Sequence, residues 1–416
     1  MTPSSDQTIT LGITGCGRRG QSLVRTAGHL DRVDITAISS RTAENRDRVA
    51  SILDDSCAPR PAEYDTHASM IDEAELDAVL IATAWDAHTK HALTALSADV
   101  HVGLEVGPAA SIEECWQLVR AAERSDACCM LLENCCYGRD ELAALRMVEE
   151  GVFGDLVHCE CGYAHDLRSS LLSGERHAAD GDEELGWRAM HHAHRTGDLY
   201  PTHGLGPIAV LLDINRGNRF VSLTATESKA VGLSDWADEH LPTDDPRRSM
   251  SWRHGDVIST TIRCANGETV GLTHSVTLPR PYSRLYTVQG TNGIWEHRGR
   301  RAPDGIYIDG ESPADEWEEW EGYREEFEHP IWQEYLDAGR RGGHEGIDFL
   351  VLRAFVDTVS EGTRPPIDVY DAATWRAISI LSARSIERGG APVTIPDFTN
   401  GRWLNAPNTF PGPSAV

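Results

Sequence analysis

Residues 8–20 read TITLGITGCGRRG, an apolar run ending in a turn that carries Gly15, Gly17 and Gly20. The run predicts a first strand, and SLVRTAGHL after it predicts a helix. In that setting GxGxxG asks something different of each glycine. Gly15 makes the tight turn, Gly17 lets the backbone approach a pyrophosphate, and Gly20 lets the helix pack closely, with the anion at the positive helix end. The alternative is a plain glycine turn; its place between strand and helix argues for a dinucleotide cradle, to which Arg19 is added. The second strand, VDITAIS, should end in an acidic residue that bonds the ribose hydroxyls of NAD, yet Ser40 and Arg41 follow it. A hydroxyl and a guanidinium suit a 2′-phosphate, so NADP stands beside NAD. Arg41 stacked on adenine, or turned to solvent, would leave NAD as the cofactor.

Outward from this unit the same texture repeats. Strands are expected at DAVLIAT (77–83), HVGLEV (101–106) and ACCMLLE (127–133), with helices such as SIEECWQLVRAAERS between them. Short apolar strands alternating with helices predict a parallel sheet covered on both faces. After Glu133 a helix over 139–150 should stop at Gly151. Alternating segments then dominate: LVHCECGYAH, VSLTATES, VISTTIRC, TVGLTHSV and SRLYTVQG. These predict a mostly antiparallel sheet. The fold class is therefore α/β, with a Rossmann domain over 1–132, an open-sheet substrate domain over 133–396 and a tail over 397–416. The C-terminal helices, near 349–360 and 372–388, are expected to pack back on the first domain. Two acidic stretches, 173–186 and 233–251, read as solvated loops or lids, the second as an insertion without a role. DEWEEWEGYREEFEH, with Trp317 and Trp320, reads as a solvated amphipathic segment.

The chain has 416 residues, enough for two cores, and a formal net charge of -27. Such a charge repels phosphate backbones and anionic lipid, which argues against nucleic acid and membrane surfaces as partners. No apolar run reaches the roughly 20 residues of a membrane span, and a start without basic and apolar regions implies a cytoplasmic protein. Ten cysteines fit reduced core thiols there, and neither they nor His191, His192 and His194 have metal-site spacing. Lys90 and Lys229 are the only lysines; an acidic, arginine-rich surface suits high salt, or equally a GC-rich genome. The exposed face of an open sheet commonly pairs with a second copy, so a homo-oligomer is expected.

Four strings in order, ENCCYGR (133–139), GYAHDLR (162–168), WR (187–188) and YPTHGLGP (200–207), together with WDAH (85–88), carry a family resemblance. The chain resembles the Gfo/Idh/MocA oxidoreductases throughout, and over about 133–220 their glycosidase branch, glycoside hydrolase family 109, whose founding activity is α-N-acetylgalactosaminidase. Ordinary dehydrogenases of this group carry Glu-Lys-Pro after the fifth strand, the lysine assisting proton transfer. Here Glu105, Val106, Gly107 and Pro108 stand instead, and the glycosidase branch likewise has valine, without the extra glycine.

The resemblance implies hydride removal from the sugar C3, proton loss from C2, elimination at C1, water addition and hydride return. It implies Tyr163 as the C2 base and His203 near O3. It implies Glu133, Arg188, Tyr200, Pro201, Thr202 and Tyr282 at the carbohydrate, and Trp85, His88, Glu105, Val106 and Asn134 at the cofactor. A phenol titrates near about 10, so a tyrosine base needs neighbouring positive charge, for which Arg188 and the oxidised nicotinamide are the candidates. Two rivals remain at this stage: a plain NAD(P)-dependent sugar or polyol dehydrogenase, and a cofactor-binding sensor that performs no reaction.

Overall fold

A chain that alternates short apolar strands with amphipathic helices buries both sheet faces only by crossing over after each strand, and the computed structural model follows that rule. It describes residues 8–55, 59–172, 186–297, 304–339 and 344–412. The first sheet comprises β1 (Ile9–Thr14), β2 (Val33–Ser39), β3 (Ala62–Tyr64), β4 (Ala78–Ile81), β5 (His101–Leu104) and β6 (Cys129–Leu131). Its order is β3-β2-β1-β4-β5-β6, parallel throughout. The order reverses between β1 and β4, the place where such sheets open a crevice for a nucleotide. Strand interiors such as Leu11, Ile13, Val79 and Leu80 are buried, as a sheet covered on both faces requires.

The second sheet comprises β7 (Leu156–Ala164), β8 (Phe220–Glu227), β9 (Ile258–Cys264), β10 (Thr269–Ser275), β11 (Thr287–Gly290), β12 (Gly293–Glu296), β13 (Gly305–Ile308), β14 (Glu318–Glu319) and β15 (Val393–Thr394). Its order is β14-β13-β12-β11-β7-β10-β9-β8-β15. Only β7 with β10 pairs parallel; the other neighbours run antiparallel. In β9 the buried residues Ile258, Thr260, Ile262 and Cys264 alternate with exposed ones, so this strand has one core face and one solvent face.

The chain divides into two compact units that are not contiguous in sequence. One holds residues 1–138, 330–373 and 407–416; the other holds 139–329 and 374–406. Residues 330–373, including the helix Ile347–Glu361, thus count with the nucleotide unit, where single-cut limits of 1–132 and 133–396 would separate them. No described helix is long and apolar enough to cross a membrane.

Two readings of acidic sequence need correction. The 233–251 stretch is not a roleless surface insertion. It forms the helix Gly232–His240, whose Leu233 and Ala237 are buried with Leu171, Leu172 and Ala189, while Trp236, Leu241 and Trp252 pack on the same cluster. Leu233, Ala237 and Leu241 recur every four residues, a helical apolar stripe that the surrounding charges obscure. Likewise Trp320 is not solvated: it is 3% exposed and stacks on Trp295 at 4.9 Å, with its indole nitrogen donating to Asp140 at 2.9 Å. Trp317 is exposed. The 173–186 stretch lies outside the described residues except for Gly186.

The helix Thr202–Leu211 is seated on β7 by backbone alone. A Cβ on Gly204 would lie 2.5 Å from the nitrogen of Gly162, and one on Gly162 would lie 2.3 Å from the Thr273 carbonyl oxygen. Only hydrogen at Gly204 allows the helix that approach, and only hydrogen at Gly162 lets β7 lie so close to its neighbour β10. Pro207 sits inside this helix and lacks the N–H that would bond His203 O four residues back. The orphaned carbonyl instead accepts the hydroxyl of buried Tyr286 at 2.7 Å. Tyr286→Phe should therefore cost about 1–3 kcal/mol in chemical denaturation, by removing this hydrogen bond from a buried hydroxyl position. Adding Pro207→Ala, which restores an N–H, should recover much of that loss; no recovery would mean that the hydroxyl stabilises something other than this carbonyl.

Candidate functional site

In the nucleotide unit the three glycines differ as their spacing predicts. Gly15 has φ +93 and a Cβ there would meet the Ala82 carbonyl oxygen at 2.6 Å. A Cβ on Gly20 would lie 1.9 Å from Gly15 O, which locks the helix Arg18–Ala27 onto the turn. Around Gly17 a Cβ would meet nothing within 4 Å, and no side chain caps this helix start. An uncapped helix N-terminus behind open space at a glycine is what a pyrophosphate needs, so the cradle fits a dinucleotide. Ser40 and Arg41 follow β2; the Ser40 carbonyl accepts from Arg46, and Arg41 is exposed.

Arg19 points its guanidinium at two carboxylates. Nε donates to Glu105 at 2.7 Å, and the terminal nitrogens grip Asp348 at 2.8 and 3.1 Å. Asn134 and His344 each place a nitrogen 2.7 Å from Asp348 as well. Burial would push the Asp348 carboxyl up, but the His344 hydrogen bond and Arg19 outweigh it and hold it below the usual carboxylate range. Arg19, Glu105 and Asn134 are thus brought together through Asp348, a residue no motif marked. Val106 donates its N–H to Glu105 at 3.2 Å. Gly107 is explained by Trp85: a Cβ would lie 2.3 Å from indole Cδ1, so the extra glycine makes room for this ring. His88, buried on the same helix as Trp85, donates Nε2–H to the Thr83 carbonyl at 3.0 Å. Glu133 is fully buried in this unit and caps the 3₁₀ helix Asn134–Tyr137, accepting the Cys135 N–H at 3.1 Å.

The substrate unit gathers the other expected residues around Tyr163 on β7. Its ring centroid lies 4.7 Å from Tyr200, 5.6 Å from His203 and 6.0 Å from Tyr282. Tyr200 and His203 are edge to face at 4.7 Å, and the Arg188 guanidinium lies 5.4 Å from the Tyr200 centroid. Three local constraints aim these groups. Pro201 starts the Thr202–Leu211 helix with Tyr200 just before it, Gly204 brings His203 against β7, and the bridge between Ala164 and Ser283 holds Tyr282 beside the strand end. Thr202 is fully buried and its hydroxyl has no hydrogen-bond partner among the described residues. The cluster offers phenols and an imidazole for proton transfer, a guanidinium for positive charge, and aromatic faces for a sugar ring.

Motif reading missed four groups in this unit. His165, inside the GYAHDLR string, lies 6.2 Å from Tyr163 and 5.2 Å from Tyr282. Asp198, two residues before Tyr200, accepts that residue's N–H at 2.9 Å while buried at 1% exposure, and burial pushes its carboxyl up to about 7. His254 and His274 come from distant segments and pack beside it. Proximity of Asp198 to Tyr200 was visible in the sequence, but its burial was not.

Comparison with known proteins agrees with both halves. The glycosyl hydrolase 109 C-terminal domain model matches residues 137–405, and the oxidoreductase family, NAD-binding Rossmann fold model matches residues 9–132. The chain is 37% identical to an alpha-N-acetylgalactosaminidase of Tannerella forsythia, over 98% of this chain and 89% of that one. It is 38% identical to a glycosyl hydrolase family 109 protein of Stenotrophomonas maltophilia, over 95% and 90%. Among solved structures, levoglucosan dehydrogenase with NADH and L-sorbose superposes with a TM-score of 0.69 at 19% identity, covering 94% of this chain and 100% of that one. An NAD binding oxidoreductase of Klebsiella pneumoniae gives 0.71 at 16%, covering 94% and 99%; at such identities the likeness is one of fold. A glycosidase domain model over more than half the chain, with full-length relatives, makes this protein a member of glycosyl hydrolase family 109 with an N-terminal NAD-binding Rossmann domain.

Proposed function

We propose that this enzyme hydrolyses α-N-acetylgalactosaminides or closely related glycosides, with proton chemistry performed by Tyr163 and His203. The observation that carries the reading is the convergence of Tyr163, Arg188, Tyr200, His203 and Tyr282 within one unit, from four separate segments of the chain. The substrate class is taken from the Tannerella forsythia relative.

NAD, held at Gly15, Gly17 and Gly20, supplies reversible hydride acceptance. Tyr163 takes the sugar C2 proton, and His203 holds the proton of the neighbouring hydroxyl. Arg188 favours negative charge among the phenols, which a tyrosine base requires. Tyr200 and Tyr282 flank the ring and offer hydroxyls to it, and Thr202 has a hydroxyl still to satisfy. Val106 leaves no ammonium where dehydrogenases of this superfamily use a lysine, which supports the glycosidase over a net dehydrogenase.

Purified enzyme with p-nitrophenyl α-N-acetylgalactosaminide and NAD should release nitrophenol without steady accumulation of reduced cofactor. Tyr163→Phe and His203→Ala should each lower kcat by about 10²–10⁴-fold, the usual contribution of a positioned acid or base, while NAD binding persists. Nitrophenol release unchanged in Tyr163→Phe would remove that residue from the role. Gly17→Val puts methyls into the space the pyrophosphate needs without touching the fold, so NAD affinity should drop at least about tenfold at unchanged thermal stability. Unchanged affinity by calorimetry would mean that the cofactor does not use this cradle.

A further inference from the structure

Behind Tyr163 the substrate unit holds a closed array of ionisable rings. Tyr163 on β7 and His274 on β10 are register partners, and their rings stack with 6.3 Å between centroids at 26°. His274 stacks in turn on His192 at 6.3 Å and 22°, and meets His254 edge to face at 5.3 Å; His192 and His254 lie 4.6 Å apart. The three imidazoles are 5% exposed or less. Among the described residues neither ring nitrogen of His274 has a hydrogen-bond partner, yet Nδ1 lies 3.5 Å from the Asp198 carboxylate. His254 donates Nε2–H to the Gly197 carbonyl at 2.8 Å, which leaves its Nδ1 a bare acceptor.

Asp198 is fixed on every side. Its N–H donates to Ser382 at 2.9 Å, its carbonyl accepts from Ser379, and its carboxylate accepts the Tyr200 N–H at 2.9 Å. A rigid carboxyl thus touches Tyr200 on one side and faces His274 on the other, and both of those residues pack on Tyr163.

We propose that Asp198 and His274 share one proton behind Tyr163 and act as positioning residues that couple its surroundings to pH. Burial works against the charged form of each partner. It lifts the Asp198 carboxyl to about 7, partly offset by the Tyr200 N–H, and holds His274 well below the ordinary imidazole range, with His254 acting the same way. Below about pH 7 the pair is therefore neutral as a whole; above it one proton leaves and a buried negative charge appears. Other groups surround the pair. His192, on the helix Trp187–His194, stacks on His274 and is itself acted on by His191 and Arg188, and Cys161 on β7 feels the Asp198 charge. Glu227 and Asp256 act on His254, and His203 completes the aromatic side. A carboxylate at Asp198 puts negative charge against the Tyr200 N–H and beside His274, the two residues whose rings pack on Tyr163, so the proton-bearing pair is the competent state.

This rests on the glycosidase reading only for its kinetic arm. Full-length enzyme labelled with 15N-histidine should show His274 ring resonances, identified by their loss in His274→Phe, moving together once near pH 7; Asp198→Asn should abolish that movement. In kinetics, kcat/KM of the parent enzyme should fall above the same pH, by about tenfold per pH unit once the proton is lost, through kcat rather than KM. Asp198→Asn and His274→Phe, which keep the volume or the stacked ring, should both lose that limb. His274 resonances flat from pH 5 to 9 in the parent enzyme, assigned through their bonded backbone signals should the variant not fold, would overturn the pair. An alkaline limb retained in both variants would overturn its link to Tyr163. Intact NMR titration without turnover of any glycoside would instead overturn the glycosidase reading and leave the pair standing.

Discussion

The aromatic cluster depends on one backbone-to-backbone seat, Gly204 of the helix Thr202–Leu211 against Gly162 of β7. No side chain could occupy either position, and the neighbours of those glycines, His203 and Tyr163, are the residues that must meet. Two further devices keep the seat in place. Pro207 removes a helical hydrogen bond just above it, and Tyr286 replaces that bond from β11's approach, so the freed carbonyl becomes a tether. Gly197, at φ +85 and within 2.6 Å of the Ser379 carbonyl oxygen were it given a Cβ, turns the chain tightly enough to bury Asp198 behind Tyr200. A tyrosine and a histidine side by side in a constrained segment are thus held by glycine and proline geometry, with little freedom left to lose when a ligand binds.

The nucleotide unit solves a different problem, binding an anion in a chain of large negative charge. Its helix start offers main-chain donors to an anion, and Arg19 in the first turn is committed to Glu105 and Asp348. Arg19 neutralises Glu105 and Asp348, two buried carboxylates that would otherwise be costly. Removing one partner of such a network leaves an uncompensated charge. Arg19, Glu105 and Asp348 therefore stabilise the unit as a set, whatever part they also play at the cofactor.

How much of this the sequence revealed follows from the range of the interactions. The glycine turn, five of the six strands of the first sheet and the alternation of the second are local periodicities, and they were legible; β3, only Ala62–Tyr64, is too short to show one. Tyr163, Arg188, Tyr200 and His203 came through family strings and Tyr282 through the wider resemblance, and their convergence needed the fold. Asp348 and His274 were not legible, because each gains its meaning from a partner hundreds or tens of residues away: Asp348 from Arg19, His274 from its β10 register opposite Tyr163. The helix Gly232–His240 was hidden by its own charges, since its buried stripe is only a few residues among many acids. Gly107 looked like a departure from the family until the Trp85 ring supplied the reason.

In the proposed reaction Tyr163 works on a proton of the sugar itself while no net oxidation occurs. Turnover in D2O, followed by NMR and mass spectrometry of the released sugar, measures this directly. One deuterium at C2 of each product molecule, with hydrogen retained at C3 and no accumulated reduced cofactor, is the predicted result. Release of sugar whose C2 hydrogen is undisturbed would contradict it.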